Sequence, residues 1–249
     1  MLSKSQISLI KSLQLKKYRR AHKLFIVEGF KSITEFFNED YTLHSLYYLP
    51  ELSSKMLKFP DKIKGIEVSS QDLKKISTLT TPQGALALFQ IPDHKLHLPT
   101  LKGQFTMVLD FVQDPGNLGT IIRTADWFGM NTIICSDDTT DAYSPKTVQA
   151  TMGSLARVKP VYCDLVKLLS ETNLNSYAAM LDGNSLYQTD FQDEGLIVFG
   201  NEGHGIRREI APFIKHKITI PRIGQAESLN VATSSAIICS EIYRKTKKT

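Results

Sequence analysis

The chain has 249 residues, 42% of them hydrophobic and 22% charged, a composition typical of a folded globular protein rather than a disordered one. Its formal net charge is +5, and no apolar run approaches the roughly 20 residues that a membrane-spanning helix needs. The N-terminus has no apolar stretch of signal-peptide length, and Cys135, Cys163 and Cys239 lack metal-ligand spacing, so we expect a cytoplasmic protein with free thiols and neither a metal nor a membrane as partner.

Positive charge is concentrated in the N-terminal part of the chain. Residues 1–95 carry 15 Lys and Arg against 9 Asp and Glu, whereas residues 96–249 carry 15 against 16. The excess is densest around Tyr18, where a phosphate backbone would pair with the basic side chains and release counterions. The alternative is a solvated basic face that keeps the protein in solution. The candidate polyanion contacts are Lys16, Lys17, Arg19, Arg20 and Lys23.

The first 95 residues predict a small α/β domain. In chain order, the pattern predicts a helix over 4–15, a strand over 25–27, a helix ending at 37, strands over 46–49 and 66–68, a helix over 71–77 and a strand over 84–90. The proline-containing segment that follows is weakly patterned. Its residues 96–102 predict a linker between two domains.

From residue 103 to 249 the pattern changes to alternating strands and helices. The predicted strands are 106–111, 132–135, 177–181, 196–199 and 217–220, and the predicted helices are 117–128, 145–155, 165–171 and 231–243. Short apolar strands without polar alternation indicate a parallel sheet that is covered by helices on both faces. Ligands bind such sheets beyond the carboxyl ends of the strands.

Three polar segments directly follow predicted strands, so we expect them to meet at one edge of the sheet. The first is Asp-Pro-Gly-Asn-Leu-Gly at 114–119, followed by Arg123. The second is Gly-Asn-Glu-Gly-His-Gly at 200–205, and the third is Glu-Ser-Leu-Asn-Val at 227–231.

Each segment also has an ordinary structural explanation. Asn117 is a possible N-cap of its helix, and residues 200–205 are a possible glycine-rich turn. Ser228 is a possible N-cap of the last helix, with Asn230 solvated. A tight turn does not require the carboxylate of Glu202, however. Arg123 lies where the helix dipole gives a cation no benefit, so it is either a plain surface residue or the partner of an anion, which could be a substrate phosphate or Glu202.

Together the segments resemble the SpoU–TrmH family of RNA ribose 2′-O-methyltransferases, part of the SPOUT class. The resemblance covers roughly residues 100–245. Its first motif is matched at Asn117, Gly119 and Arg123, its second at 200–205, and its third at 220–221 and 227–231. The N-terminal domain is similar to the family's L30e-like substrate-binding domain through Phe-Ile-Val-Glu-Gly-Phe-Lys at 25–31.

The resemblance implies a trefoil-knotted parallel-sheet domain over 103–249, an RNA-binding domain over 1–95 and a homodimer. It implies S-adenosylmethionine as cofactor and 2′-O-methylation of RNA, with ribosomal RNA favoured; transfer RNA and a catalytically inactive RNA-binding protein are the alternatives. The implied catalytic residues are Arg123, Asn117, Glu202, Ser228 and Asn230. The implied cofactor-binding residues are Gly200, Ile220, Leu229, Asn201, Gly203 and Gly205.

Overall fold

The computed structural model describes residues 2–39, 41–56 and 64–246. The chain forms two compact units. The first contains Met1–Asp93 together with Asp141–Ala156, and the second contains His94–Thr140 together with Arg157–Thr249. The second unit takes in the predicted linker 96–102, which forms a 3₁₀ turn at Leu98–Leu101 and buries Leu101.

The first unit is built on a four-stranded mixed sheet of order β1-β4-β2-β3, in which β4 runs antiparallel to both of its neighbours. Its helices are α1 (Lys4–Ser12), α2 (Lys16–His22), α3 (Phe30–Asn38), α4 (Ser53–Met56), α5 (Ser70–Ile76) and α7 (Pro145–Thr151). Its strands are β1 (Leu24–Glu28), β2 (Leu43–Tyr48), β3 (Ile66–Glu67) and β4 (Ala85–Gln90). All of β1 is buried, and its last residue, Glu28, accepts hydrogen bonds from Ser77 and Thr78.

The segment Asp141–Ala156 completes the core of the first unit although it lies far along the chain. Helix α7 packs on β1, and the ring of Tyr143 lies 4.9 Å from that of Phe25. Arg19 and Asp141 form a salt bridge of 2.6 Å whose arginine side chain is only 3% exposed. The hydrophobic periodicity of the sequence does not predict that residues 141–156 pack in the first unit, because periodicity describes each element and not its packing partner.

The second unit is a six-stranded sheet of order β10-β8-β9-β5-β6-β7 in which every pair is parallel, so the predicted parallel sheet is confirmed. Its strands are β5 (Phe105–Leu109), β6 (Thr132–Ser136), β7 (Lys159–Cys163), β8 (Ser176–Ser185), β9 (Gly195–Phe199) and β10 (His216–Thr219). Its helices are α6 (Pro115–Trp127), α8 (Leu165–Glu171) and α9 (Val231–Thr246). The trefoil knot implied by the resemblance stays a prediction.

Strand β7 and helices α2 and α4 were missed from the sequence, and several boundaries differ. Strand β7 contains Pro160 and gave no strand signal, but it lies at the sheet edge, where a missing N–H is tolerated. Helix α2 is short and almost entirely polar. The helix predicted over 145–155 ends at Thr151, because Met152 adopts a left-handed conformation with φ of 53°. Among the described residues, no helix has the length and apolar character needed to cross a bilayer.

Candidate active site

The N-terminus of α6 presents Asn117 without using its side chain as a cap. Helix α6 begins two residues earlier than the pattern predicts, because Asp114 caps it by accepting a hydrogen bond from the backbone N–H of Asn117 (2.9 Å). Pro115 occupies the first helical position, where its missing N–H costs nothing. The capping explanation for Asn117 is therefore wrong, and its side-chain amide remains for other partners.

The glycine-rich segment 200–205 forms a closed turn after β9. Asn201 and Gly205 exchange both backbone hydrogen bonds, at 2.9 and 3.0 Å. A Cβ at Gly200 would clash with the backbone of Gly205 and Ile206, so only glycine allows this approach. The turn projects Glu202, whose carboxylate reaches the start of α6.

Asn230, rather than Ser228, caps the last helix. Its Oδ1 accepts hydrogen bonds from the backbone N–H groups of Ala232 (2.9 Å) and Thr233 (3.3 Å). The explanation with Ser228 as cap and Asn230 solvated is therefore wrong. Ser228 is exposed and has no hydrogen-bond partner in the part of the chain that the structure describes.

The three segments meet in one chain of hydrogen bonds. Asn230 Nδ2 donates to Asn117 Oδ1 (2.8 Å), and Asn117 Nδ2 donates to Glu202 Oε1 (2.9 Å). An ionised carboxylate only accepts hydrogen bonds, so Glu202 determines which way the amide of Asn117 faces. Asn117 in turn determines the orientation of Asn230, whose oxygen is then turned toward the helix cap. The predicted convergence of the three segments is confirmed.

The carboxylate of Glu202 is kept ionised by its donors. Partial burial raises its pKa, but hydrogen bonds from Asn117 and from the backbone amides of Gln113 and Asp114 outweigh this effect and lower the pKa below its ordinary value. Their stabilising contribution is complete above the unfolded-state pKa and is lost as the pH falls through the lowered folded-state value. A carboxylate with a lowered pKa is a poor general base, so Glu202 orients rather than abstracts a proton.

Arg123 is exposed on α6, two turns beyond the helix start. Neither a hydrogen bond nor an ion pair joins it to any other residue of the ranges that the structure describes. Glu202 is bound by amides instead, which removes one of the two anionic partners predicted for this arginine. A substrate phosphate and a plain surface position remain as the alternatives for Arg123.

Comparisons with known proteins agree with this geometry. Residues 104–240 match the model of the SpoU rRNA Methylase family, and residues 4–87 match an MRM3-like substrate binding domain. The chain belongs to the SpoU rRNA methylase family. It is 31% identical over 237 residues to the Bacillus subtilis 23S rRNA (guanosine(2553)-2′-O)-methyltransferase RlmP, covering 92% of each chain.

Solved structures of SpoU relatives match the whole chain. A protein assigned to the TrmH family of RNA methyltransferases from Porphyromonas gingivalis is 39% identical, with a TM-score of 0.89 and coverage of 98% and 99%. An AdoMet-bound rRNA methyltransferase from Sinorhizobium meliloti is 28% identical, with a TM-score of 0.88 and coverage of 100% and 98%.

The residues that the SpoU resemblance assigns to the cofactor fit the apolar parts of a nucleoside ligand. Gly205 has open space beside its Cα, and Leu229 exposes 48% of its surface although it is apolar. Ile220 is half-buried directly after β10. Residues 221–230 are exposed throughout, so their backbone groups and the side chain of Leu229 are available to an adenosine.

The polar groups of Asn201 bond to other parts of the protein. Its Oδ1 accepts from the N–H groups of Gly203 (2.9 Å) and His204 (3.0 Å), and its Nδ2 donates to the carbonyl of Phe111 (2.8 Å). With its backbone also bonded to Gly205, Asn201 has its polar groups engaged inside the protein. We infer that it holds the turn together, in place of the cofactor contact predicted for it.

The predicted RNA contacts of this SpoU protein divide into two kinds. Lys16, Lys17, Arg20 and Lys23 are exposed on or just after α2. Arg19 is buried, and its guanidinium is bonded to Asp141 and to the carbonyls of Leu13 and Gln14. We infer a structural role for Arg19 in place of the predicted RNA contact, because RNA cannot reach a buried and fully bonded guanidinium.

Asn230 caps α9 through its side-chain oxygen and donates to Asn117 through its side-chain nitrogen, so a substitution can change one role and keep the other. Asn230→Asp keeps a side-chain oxygen for the helix cap and adds a charge that the helix dipole favours, so we expect unchanged or slightly higher thermal stability. It also places an acceptor against Asn117 Oδ1, where a donor is needed. Both groups are exposed, so the lost bond costs the fold little, but misplacement of Asn117 should slow methyl transfer by about 10- to 100-fold.

Thermal unfolding and methyl-transfer rates measure the two roles of Asn230. Asn230→Ala is the matched control, because it removes the cap and the donor together and should lose about 1 kcal/mol of stability as well as activity. An Asn230→Asp variant with wild-type activity would contradict the hydrogen-bond chain.

Proposed function

We propose that the protein transfers a methyl group from S-adenosylmethionine to a ribose 2′-hydroxyl of ribosomal RNA. The observation that carries the proposal is the hydrogen-bond chain from Asn230 through Asn117 to Glu202. Arg123 lies six residues after Asn117 on the same helix, with its side chain exposed. The similarity to RlmP over 92% of both chains supports ribosomal RNA as the substrate class and the ribose oxygen as the acceptor. The AdoMet-bound Sinorhizobium meliloti relative supports the choice of cofactor.

In the proposed reaction, the cofactor supplies an electrophilic methyl group on a sulfonium. The 2′-oxygen forms the new bond to carbon, the sulfur keeps the electron pair of the broken bond, and the hydroxyl proton leaves to solvent or to the adjacent RNA phosphate. A guanidinium remains protonated and is a poor base, so Arg123 stabilises the developing alkoxide or holds that phosphate. The orientation of Arg123 and of the ribose is assigned to four residues: Asn117, Glu202, Ser228 and Asn230.

One experiment distinguishes this function from its alternatives. The protein is incubated with labelled S-adenosylmethionine and total undermethylated RNA, and the RNA is fractionated, digested and analysed by mass spectrometry. We expect a 2′-O-methylated nucleoside in the ribosomal fraction. Label in transfer RNA alone would favour the transfer RNA alternative, and a base-methylated product would refute ribose chemistry. No incorporation would favour a catalytically inactive RNA-binding protein.

The first unit is proposed to bind the RNA substrate. Support comes from the match of residues 4–87 to a substrate binding domain and from the basic side chains of α2. Tyr18 lies among them, 38% exposed, with its ring stacked near that of His22 and with Lys17 Nζ 5.8 Å from its centroid. Charged and aromatic groups of this kind suit a structured RNA with unstacked bases. We also propose a cytoplasmic location.

We also propose that the protein is a homodimer that pairs through its methyltransferase domain. Helices α6 and α9 pack on each other and expose Trp127 (84%) and Tyr243 (45%). Trp127→Arg should shift sedimentation of the protein from a dimer toward a monomer, because a charge would have to be desolvated in the interface. Trp127→Phe keeps the apolar contact and should remain dimeric. A wild-type protein that sediments as a monomer at micromolar concentration would refute the proposal.

A further inference from the structure

An ion-pair cluster that belongs to none of the three motifs lies directly beside the glycine turn. Asp110 follows β5, is fully buried and accepts from Arg207 twice: from its backbone N–H (2.8 Å) and from its Nε (2.6 Å). The Nη1 of the same guanidinium donates to Asp138 (2.9 Å). One arginine thus connects the residue after β5 and the loop after β6 to the exit of the turn.

The entry of the turn is held by β5 and by the two residues that follow it. Strand β9, which leads into the turn, pairs with β5 in register up to Leu109 and Phe199. Two residues beyond Leu109, Phe111 adopts a left-handed conformation with φ of 59°, and its carbonyl accepts from Asn201 Nδ2. A bulky residue with positive φ carries strain that the surrounding contacts must maintain. The backbone N–H of Phe111 is bonded to Ser136 Oγ (2.9 Å).

The same loop after β6 also contacts the segment that precedes α6. The carbonyl of Asp138 accepts from Gln113 Nε2 (2.7 Å), and the backbone N–H of Gln113 donates to Glu202 (3.3 Å). Asp138 therefore contacts Arg207 on the glycine turn and Gln113 at the approach to α6. These are the two segments between which Glu202 and Asn117 meet.

We propose that Arg207, held by Asp110 and Asp138, is a positioning residue for methyl transfer. It fixes the exit of the glycine turn so that Glu202 meets Asn117 and the amides before α6. This inference rests on the proposed function and extends it to a residue outside the recognised motifs. Arginine is required because a planar guanidinium supplies Nε and Nη1 to two carboxylates at once, whereas a lysine ammonium is a single point charge.

The first test replaces Arg207 with lysine. We expect the kcat of Arg207→Lys to fall about tenfold, with the KM for S-adenosylmethionine and for RNA within about twofold of wild type, because supporting residues act on geometry. Arg157→Lys is the matched control: Arg157 binds Asp126 in the same unit and is 35% exposed, against 31% for Arg207. The control should keep the wild-type kcat.

Removing one member of a buried pair also destabilises a fold, so a second variant separates stability from positioning. Asp110→Asn combined with Arg207→Met removes both charges and keeps an oxygen for the backbone N–H of residue 207. We expect the melting temperature to recover toward wild type while kcat stays at least about tenfold low. Recovery of kcat together with the melting temperature would show a merely structural role and overturn the inference.

The third variant, Asp138→Asn, covers the case in which the buried substitutions fail to fold. Asp138 is 45% exposed, so we expect it to fold normally and to lower kcat severalfold. Unchanged kcat in both Asp138→Asn and Arg207→Lys would also overturn the inference. Wild-type protein is measured in parallel: if it transfers no methyl group, the proposed function fails, whereas an active wild type with equally active variants refutes only the role of Arg207.

Discussion

Arg123→Ala should lower kcat for methyl transfer by about 10²- to 10³-fold, the usual loss when one preorganised donor to a developing oxyanion is removed. The side chain of Arg123 is exposed and has no hydrogen bond or ion pair to the described ranges, so the substitution breaks neither kind of contact there. The melting temperature should therefore remain within about a degree of wild type. The expected loss lies in the transition state alone.

Separate measurements of cofactor affinity and rate test this assignment. Calorimetric titration with S-adenosylmethionine should give nearly the wild-type affinity, and single-turnover kinetics with RNA should show the slow step. Lys167→Ala removes an exposed cation from α8 and is the matched control, with a wild-type rate expected. A loss of cofactor affinity as large as the loss of rate would contradict the role of Arg123 at the ribose.

Arg19→Ala and Arg20→Ala should have opposite effects although the residues are adjacent. Removal of Arg19 leaves Asp141 without its partner, and the carboxylate is only 15% exposed. Breaking a buried pair costs about 3–5 kcal/mol, so the free energy of unfolding should fall by at least about 3 kcal/mol. Arg20 is exposed, and its removal should change stability by less than about 0.5 kcal/mol.

RNA binding measured as a function of salt completes the comparison. Arg20→Ala should weaken binding and reduce the slope of log K against log salt by about one, because one phosphate contact is lost. Arg19→Ala, measured below its melting temperature, should keep the wild-type slope. If Arg19→Ala behaves like Arg20→Ala in both measurements, the guanidinium of Arg19 contacts RNA and its bridge to Asp141 is dispensable.

Much of the second unit follows from sequence pattern. Its strands are short and apolar because both faces are covered, and such runs predict a parallel sheet without knowledge of their partners. The three polar segments each follow a strand, so their meeting at one edge could also be predicted. The strand at 159–163 could not, because Pro160 is acceptable only at a sheet edge, and edge position is a property of the assembled sheet.

Part of the candidate site could also be predicted from the sequence, and part of it could not. Residue types and spacing were sufficient to select Asn117, Glu202 and Asn230, because a turn or a cap does not require that combination. Spacing could not tell which asparagine caps a helix, since Asn117 and Asn230 are equally suited to capping. Asp110 and Arg207 were missed, because an acid after a strand and a basic residue after a turn are common, and their contact spans 97 positions.

By itself, the sequence determined the parallel sheet, the three converging segments and the identity of the polar residues in them, because local pattern and residue chemistry are properties of neighbouring positions. Tertiary structure decided which of those residues are exposed and which are engaged in bonds within the protein. Arg19 and Asn201 are the clearest examples. Both were predicted to bind ligands, and both are engaged by distant partners, Asp141 and Phe111. Whether a polar side chain is available to a ligand depends on what the fold brings beside it.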